Sequence, residues 1–123
     1  MGQDLVRAFL DAMEARDLAK AAAMTAPGFT MTFPSGAQFT KLEDLVAWSA
    51  GRYRNVRKTY AAFDETRRGA LTIVHCHGVL NGEGLDGKPI AGVRFIDRFE
   101  IRAGRIVDQK VWNDLAIWFG GKA

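Results

Sequence analysis

GVRFIDRFEIRAGRIVDQKVWN, residues Gly92 to Asn113, is the stretch from which the fold is read. Two alternating segments flank Arg102-Ala103-Gly104, which predicts a tight β-hairpin. Strand side chains repeat with period two, so Val93, Phe95, Phe99 and Ile101 share one face, and Asp97 shares it with them. Arg94, Arg98, Glu100 and Arg102 take the opposite face together with Ile96. The single acid on an apolar face is either a satisfied structural carboxylate or a catalytic one. The sequence leaves both readings open.

Register follows from the turn. A two-residue turn at Ala103-Gly104 would pair Phe99 with Asp108 and Phe95 with Trp112. A three-residue loop, with Gly104 left-handed in a bulge, pairs Phe99 with Val107, Phe95 with Val111 and Asp97 with Gln109, and brings Arg98 to Asp108. The second register is expected, because it matches apolar with apolar groups and opposite charges with each other. Val107, Gln109, Val111 and Asn113 then join the concave face, with Asp97 beside Gln109.

The preceding segment extends this sheet. Leu71 to Leu80 predicts a strand joined to the first by a type I′ turn at Asp86-Gly87. That pairing sets Cys76 opposite Asp97, Gly78 opposite Phe95 and Val74 opposite Phe99. His75 and His77 fall on the outer face, where they read as sheet surface. A one-residue bulge would instead turn a histidine inward toward Asp97. Thr59 to Thr66 predicts a further strand, and the glycines of Asn81-Gly82-Glu83-Gly84 lie in a hairpin and form no phosphate loop.

Helices occupy the front of the chain. Leu5, Val6, Phe9, Leu10 and Met13 form one stripe of a helix over 3–16. Asp17 caps a second, Ala-rich helix to Met24, which Pro27-Gly28 should end. Phe29 to Phe33 alternates as a strand and closes in a Pro34-Ser35-Gly36 turn. Thr40-Lys41-Leu42-Glu43 predicts a capping box for a third helix reaching about Arg54, with Tyr53 on its inner stripe and Trp48 at its edge. Arg52, Arg54, Arg57 and Lys58 read as the solvated end of that helix. Helices first and a strand meander last argue for an α+β fold, a strongly curved antiparallel sheet wrapped around the N-terminal helices to close a cone.

Composition narrows the functional classes. The 123 residues make one domain, 1–123, with net charge +3 and scattered basic residues, so no nucleic-acid partner is expected. One cysteine excludes an internal disulfide and suits a reducing cytoplasm. No run of membrane-spanning length is present. Two histidines without a carboxylate cluster give no metal site, and no cofactor is expected.

The order of elements, the segment Arg98-Phe99-Glu100-Ile101-Arg102-Ala103-Gly104-Arg105-Ile106, Asp17-Leu18 after the first helix and the Trp112-Asn113-Asp114 tail together resemble the nuclear transport factor 2-like superfamily. The resemblance is to its SnoaL-like and ketosteroid-isomerase-like branch and covers nearly the whole chain. It implies a cone-shaped, cystatin-like α+β barrel and a homodimer packed through the outer sheet face. Ketosteroid isomerases use a tyrosine on the first helix, a general-base aspartate before a Pro-x-Gly turn and a buried aspartic acid on the long strand. Here those places hold Phe9, Phe33 and Asp97, so the steroid-isomerase mechanism is not expected.

What remains is an apolar pocket with Asp97 as its acid/base and Gln109 and Asn113 as orienting groups. Its wall is expected from Phe95, Phe99 and Cys76 on the sheet, Phe9 and Met13 on the first helix, and Phe33, Trp48 and Tyr53. Burial among phenylalanines should raise the Asp97 pKa. Two functions fit: a cofactor-independent isomerase or cyclase moving a proton on a small apolar carbonyl compound, or a non-catalytic ligand-binding or dimerisation module.

Overall fold

The computed structural model describes residues 2–120. Helix α1 (Gly2–Glu14) presents the predicted stripe, with Val6, Phe9, Leu10 and Met13 buried. Asp17 caps α2 (Leu18–Ala22) by accepting the Lys20 N–H. Six strands follow: β1 (Thr25–Thr32), β2 (Gln38–Phe39), β3 (Asn55–Arg68), β4 (Leu71–Glu83), β5 (Pro89–Arg102) and β6 (Arg105–Asn113). Helix α3 (Leu42–Ala50) lies between β2 and β3, and a short α4 (Leu115–Trp118) closes the described chain.

The strands form one curved sheet in the order β2-β1-β6-β5-β4-β3. The fold is α+β as expected, but the sheet does not close. Its edges are β2 and β3, and β1 runs parallel to β6 while every other pair is antiparallel. Phe9 of α1 meets Phe29 and Phe99 edge-on at 5.9 and 6.1 Å between ring centres, which fixes the helix in the hollow of the sheet. Two hydrogen bonds strap α1 to the β3 edge: Gln3 N–H donates to Glu65 Oε1 (3.0 Å) and Lys58 N–H donates to Glu14 Oε2 (3.2 Å). The second satisfies a backbone donor on an otherwise open strand edge.

Several local expectations are corrected. Pro27 and Gly28 do not terminate α2; they lie inside β1, where Gly28 takes a φ of +80° beside an irregular stretch of the β1–β6 pairing. The Thr40 capping box does not form. Lys41 is extended and is the N-cap residue, so the helix starts too late for Thr40 to reach Glu43, and Glu43 and Asp44 instead complement the dipole of the first turn. Helix α3 ends at Ala50, four residues before the predicted end. Arg57 and Lys58 are therefore strand residues and not a solvated helix terminus.

The β5–β6 register is also corrected. The turn has two residues, Ala103 and Gly104, both with positive φ (50° and 77°), and Arg102 pairs with Arg105. Glu100 then pairs with Asp108 while Ile101 pairs with Ile106, leaving Val107 as an extra residue in β6. Past that bulge Phe99 faces Gln109, Asp97 faces Val111 and Phe95 faces Asn113. The bulge swaps inside for outside only near the turn: Ile106 is fully buried in place of Val107, whereas Gln109 and Val111 remain inward. Arg98 lies opposite Lys110 and pairs with Glu100 (2.6 Å), while Asp108 pairs with Lys110.

In the β4–β5 hairpin the turn residues are Leu85, Asp86 and Gly87, with Gly87 at φ +81° donating back to Gly84 O. This differs from the predicted two-residue turn. A shift between Leu80 and Gly82 compensates for it, and Cys76 faces Asp97, Gly78 faces Phe95 and Val74 faces Phe99, all as expected.

Candidate functional site

Asp97 is fully buried at the centre of the concave face. Its partner is Lys58, whose Nζ lies 3.2 Å from Asp97 Oδ2. The lysine starts from the edge strand β3, two strands from β5 and level with Val93, and its side chain reaches across β4 to the acid. Gly78, placed between Tyr60 and Phe95, puts no side chain in the way. The ammonium passes 5.2 Å from the Phe95 ring centre, so its charge meets an aromatic face as well as a carboxylate. Neither Asp97 oxygen receives a well-directed hydrogen bond from the described residues. An acid this buried carries a large desolvation penalty, which the single ion pair offsets.

The two titrations are coupled. Burial pushes the Asp97 carboxyl above its ordinary value, and Lys58 pulls in the opposite direction without cancelling the rise. Burial, the largest single effect, lowers Lys58, but the charge and close contact of Asp97, with smaller help from Cys76 and Tyr53, together hold the ammonium above the ordinary lysine value. Cys76, across the ladder from Asp97, is pushed up to about 12 by burial and by the neighbouring carboxylate, so its thiol is inert.

Two cavities flank the pair, of about 70 Å³ and about 50 Å³. Lys58, Phe33, Tyr53 and Val56 border both, whereas Asp97 borders only the smaller. The larger lobe lies under α1 and α3 and is walled by Phe9, Leu10, Met13, Leu45 and Val46, with Gln109 at its floor and Glu14, Arg16 and Ser49 also bordering it. The smaller contains Asp97, Asn113, Phe95, Trp48 and Arg52. Phe33 and Phe39 pack around Trp48 at 5.6 and 5.4 Å, and the Arg52 guanidinium lies 4.6 Å over the same indole.

The expected site residues therefore divide. Asp97, Asn113, Phe95, Phe33, Trp48 and Tyr53 border the smaller lobe; Phe9, Met13 and Gln109 border the larger. Phe99 and Cys76 border neither, being fully buried behind the wall as packing. Gln109 does not face Asp97 across the strands but sits opposite Phe99, because the two-residue turn and the bulge at Val107 together slide the pairing by two residues. His75 and His77 are on the outer face, opposite Arg98 and Ile96, and among the described residues no three potential metal ligands gather. Lys58 is the site residue that sequence reasoning missed. The available signal was its place in Val56-x-Lys58-x-Tyr60, a cation on the inner face of an alternating strand.

The sequence model of the SnoaL-like domain matches residues 6–109. The chain belongs to the SnoaL-like domain family. Solved structures share its fold. An NTF2-like protein of unknown function from Burkholderia pseudomallei has 20% identity and a TM-score of 0.74 over 95% of this chain and 93% of that one. TerC, co-crystallised with polyporic acid, has 14% identity and a TM-score of 0.76 over 94% and 93%. A putative SnoaL-like polyketide cyclase from Jannaschia sp. CCS1 has 18% identity and a TM-score of 0.68 over 94% and 87%. No curated protein matches this SnoaL-like chain. No helix among its described residues is long and apolar enough to cross a membrane.

Proposed function

We propose that this SnoaL-like protein binds a small apolar carbonyl compound and moves a proton on it without a cofactor, as an isomerase or a cyclase-type enzyme. The observation that carries the reading is Asp97, fully buried, bordering one cavity and ion-paired to Lys58, which borders that cavity and a second one. Asp97 as carboxylate takes a proton from the carbon next to the carbonyl: the C–H bond breaks, an O–H bond forms on Asp97, and the electron pair moves onto the carbonyl oxygen. The Lys58 ammonium, close to that position, stabilises the enolate oxygen. Where the substrate carries a C=C bond next to that carbon, the enolate extends over it, and returning the proton from Asp97 to the far carbon shifts the double bond and completes an isomerisation. Asn113 and Gln109 orient the substrate. The cyclase-like neighbour supports the class of chemistry by analogy of fold alone.

The test is deuterium incorporation next to the carbonyl of a phenyl ketone in D2O, with protein fold monitored by its urea midpoint. Asp97→Asn should lose the exchange while remaining folded; exchange at the wild-type rate in this variant would refute the role.

A second reading, a non-catalytic ligand-binding or dimerisation module, draws on Phe9 and Phe33, which stand where the isomerases carry their tyrosine and base. Absence of exchange in the wild-type protein with ligand bound would decide for it. Both readings include a homodimer through the outer sheet face, where Ile96 and Trp112 are cross-strand partners and both are exposed. Sedimentation of the wild-type protein and of Trp112→Glu tests this. A cytoplasmic location belongs to the same reading, resting on a chain whose one cysteine is a free, buried thiol.

A further inference from the structure

Two guanidinium groups border the cavities, Arg16 the larger and Arg52 the smaller. Arg16 is exposed and donates to Met13 O (2.6 Å). Arg52 is half-buried, two residues past the end of α3, and its guanidinium lies 4.6 Å over the Trp48 ring. Stacking holds a guanidinium by its face and leaves its N–H groups, which lie in its plane, free to donate. Among the described residues the Arg52 side chain meets no hydrogen-bond acceptor and no carboxylate pairs with it. The acids of both walls are already engaged: Asp97 is paired with Lys58, and Glu14 accepts the Lys58 backbone N–H. The smaller cavity is therefore bordered by two cations, Lys58 and Arg52, against one carboxylate, Asp97. The uncompensated charge shares that cavity with the buried acid, whereas Arg16 faces the cavity that Asp97 does not border. A guanidinium edge matches a carboxylate through two parallel hydrogen bonds.

We infer that Arg52 anchors a carboxylate on the ligand, so that the substrate is a small keto acid whose carbonyl points inward to Lys58 and Asp97. The inference rests on the carbonyl-binding reading above and adds one anionic end to an otherwise apolar molecule. The carboxylate stays at the rim, where half-buried Arg52 keeps its contact with solvent, and the carbonyl with the carbon beside it enters the lobe of about 50 Å³.

The test titrates levulinate, its homologue one methylene longer and the methyl ester of each into isotope-labelled protein, followed by NMR at low salt. The better-bound acid should bind about tenfold tighter than its ester in the wild-type protein, and the preference should shrink as salt is added. Arg52→Gln keeps a polar side chain beside Trp48 and removes the charge; it should bring acid and ester within about twofold of each other and leave the ester affinity near wild type. Arg52→Lys, a point charge without the planar fork, should retain part of the preference. Arg57→Gln removes a charge from the same stretch of chain outside both cavities and should leave the preference intact. Equal binding of acid and ester by the wild-type protein, a preference that survives Arg52→Gln, or failure of both acids to bind would overturn the inference. Deuterium exchange next to the ketone separates it from the reading it rests on. An Arg52-dependent preference without exchange leaves the anion site standing and refutes the catalysis; Asp97-dependent exchange with no preference for the acid does the reverse.

Discussion

Replacing Lys58 by Met keeps most of the aliphatic stem and removes the charge facing Asp97. At 3.2 Å, two unit charges in an effective dielectric near 20 attract by about 5 kcal/mol, and this attraction is what holds a fully buried carboxylate ionised. Without it, the folded variant escapes the desolvation penalty by protonating Asp97. From the ordinary value of 3.8, this costs about 4 kcal/mol at pH 7 and about 1.6 kcal/mol at pH 5. The loss at pH 7 should therefore be about 3–4 kcal/mol, in the range for breaking one side of a buried pair. The sign follows from proton binding. In Lys58→Met the Asp97 pKa is raised above that of the unfolded chain, so the folded state holds more protons than the unfolded state between the two values. Stability then falls as pH rises through that window and recovers as pH drops toward 4. Urea unfolding of wild type and variant at pH 5, 6 and 7, compared at matched slopes, measures the difference. The double variant Lys58→Met with Asp97→Asn should regain most of the loss at pH 7, since no unpaired charge remains buried. A destabilisation below about 1 kcal/mol at pH 7, or one that does not change with pH, would refute the ion-pair account.

Other perturbations probe separate parts of the argument. Gly78→Ala places a Cβ 1.9 Å from the Thr59 carbonyl oxygen, a backbone atom that cannot move aside, so the urea midpoint should fall by the equivalent of about 3 kcal/mol or more. Cys76 should resist a thiol reagent at pH 8 in the folded protein and react at once in urea, because its folded pKa is about 12. Ala103 holds a φ of +50° in the hairpin turn, so Ala103→Asn should raise stability by about 0.5–1 kcal/mol in the same melts. In the wild-type protein Lys58 titrates above its ordinary value of 10.5, so its pairing contributes stability below that pH and loses it as pH rises through the folded value. The stability difference between wild type and the double variant should change most above pH 10.5.

Much of this was legible in the chain. Period two in Val93-x-Phe95-x-Asp97-x-Phe99 placed the acid inside an apolar wall, and one hairpin signal placed Cys76 against it. Charge and apolar matching misread the last hairpin, because they favoured a wider loop over a bulge that displaces one residue, Val107. A bulge is chosen by backbone geometry and sheet curvature, which leave little trace in side-chain order. Lys58 was hidden for a different reason. A four-carbon stem lets a lysine at the sheet edge deliver its charge several rungs away, so its partner cannot be found from spacing. The tyrosine and base of the isomerases were missing in the sequence and are phenylalanines lining the cavities here; of the buried pair, the resemblance supplied Asp97 and not Lys58.

The most direct test is the titration of the Asp97 carboxyl carbon by NMR, in the free protein and with a phenyl ketone bound. Asp97 should titrate above 3.8, rise further in Lys58→Met, and move when the ketone occupies the cavity it borders. A midpoint at the ordinary aspartate value that neither Lys58→Met nor the ketone shifts would contradict the central claim that this buried acid and its lysine form the working centre of the pocket.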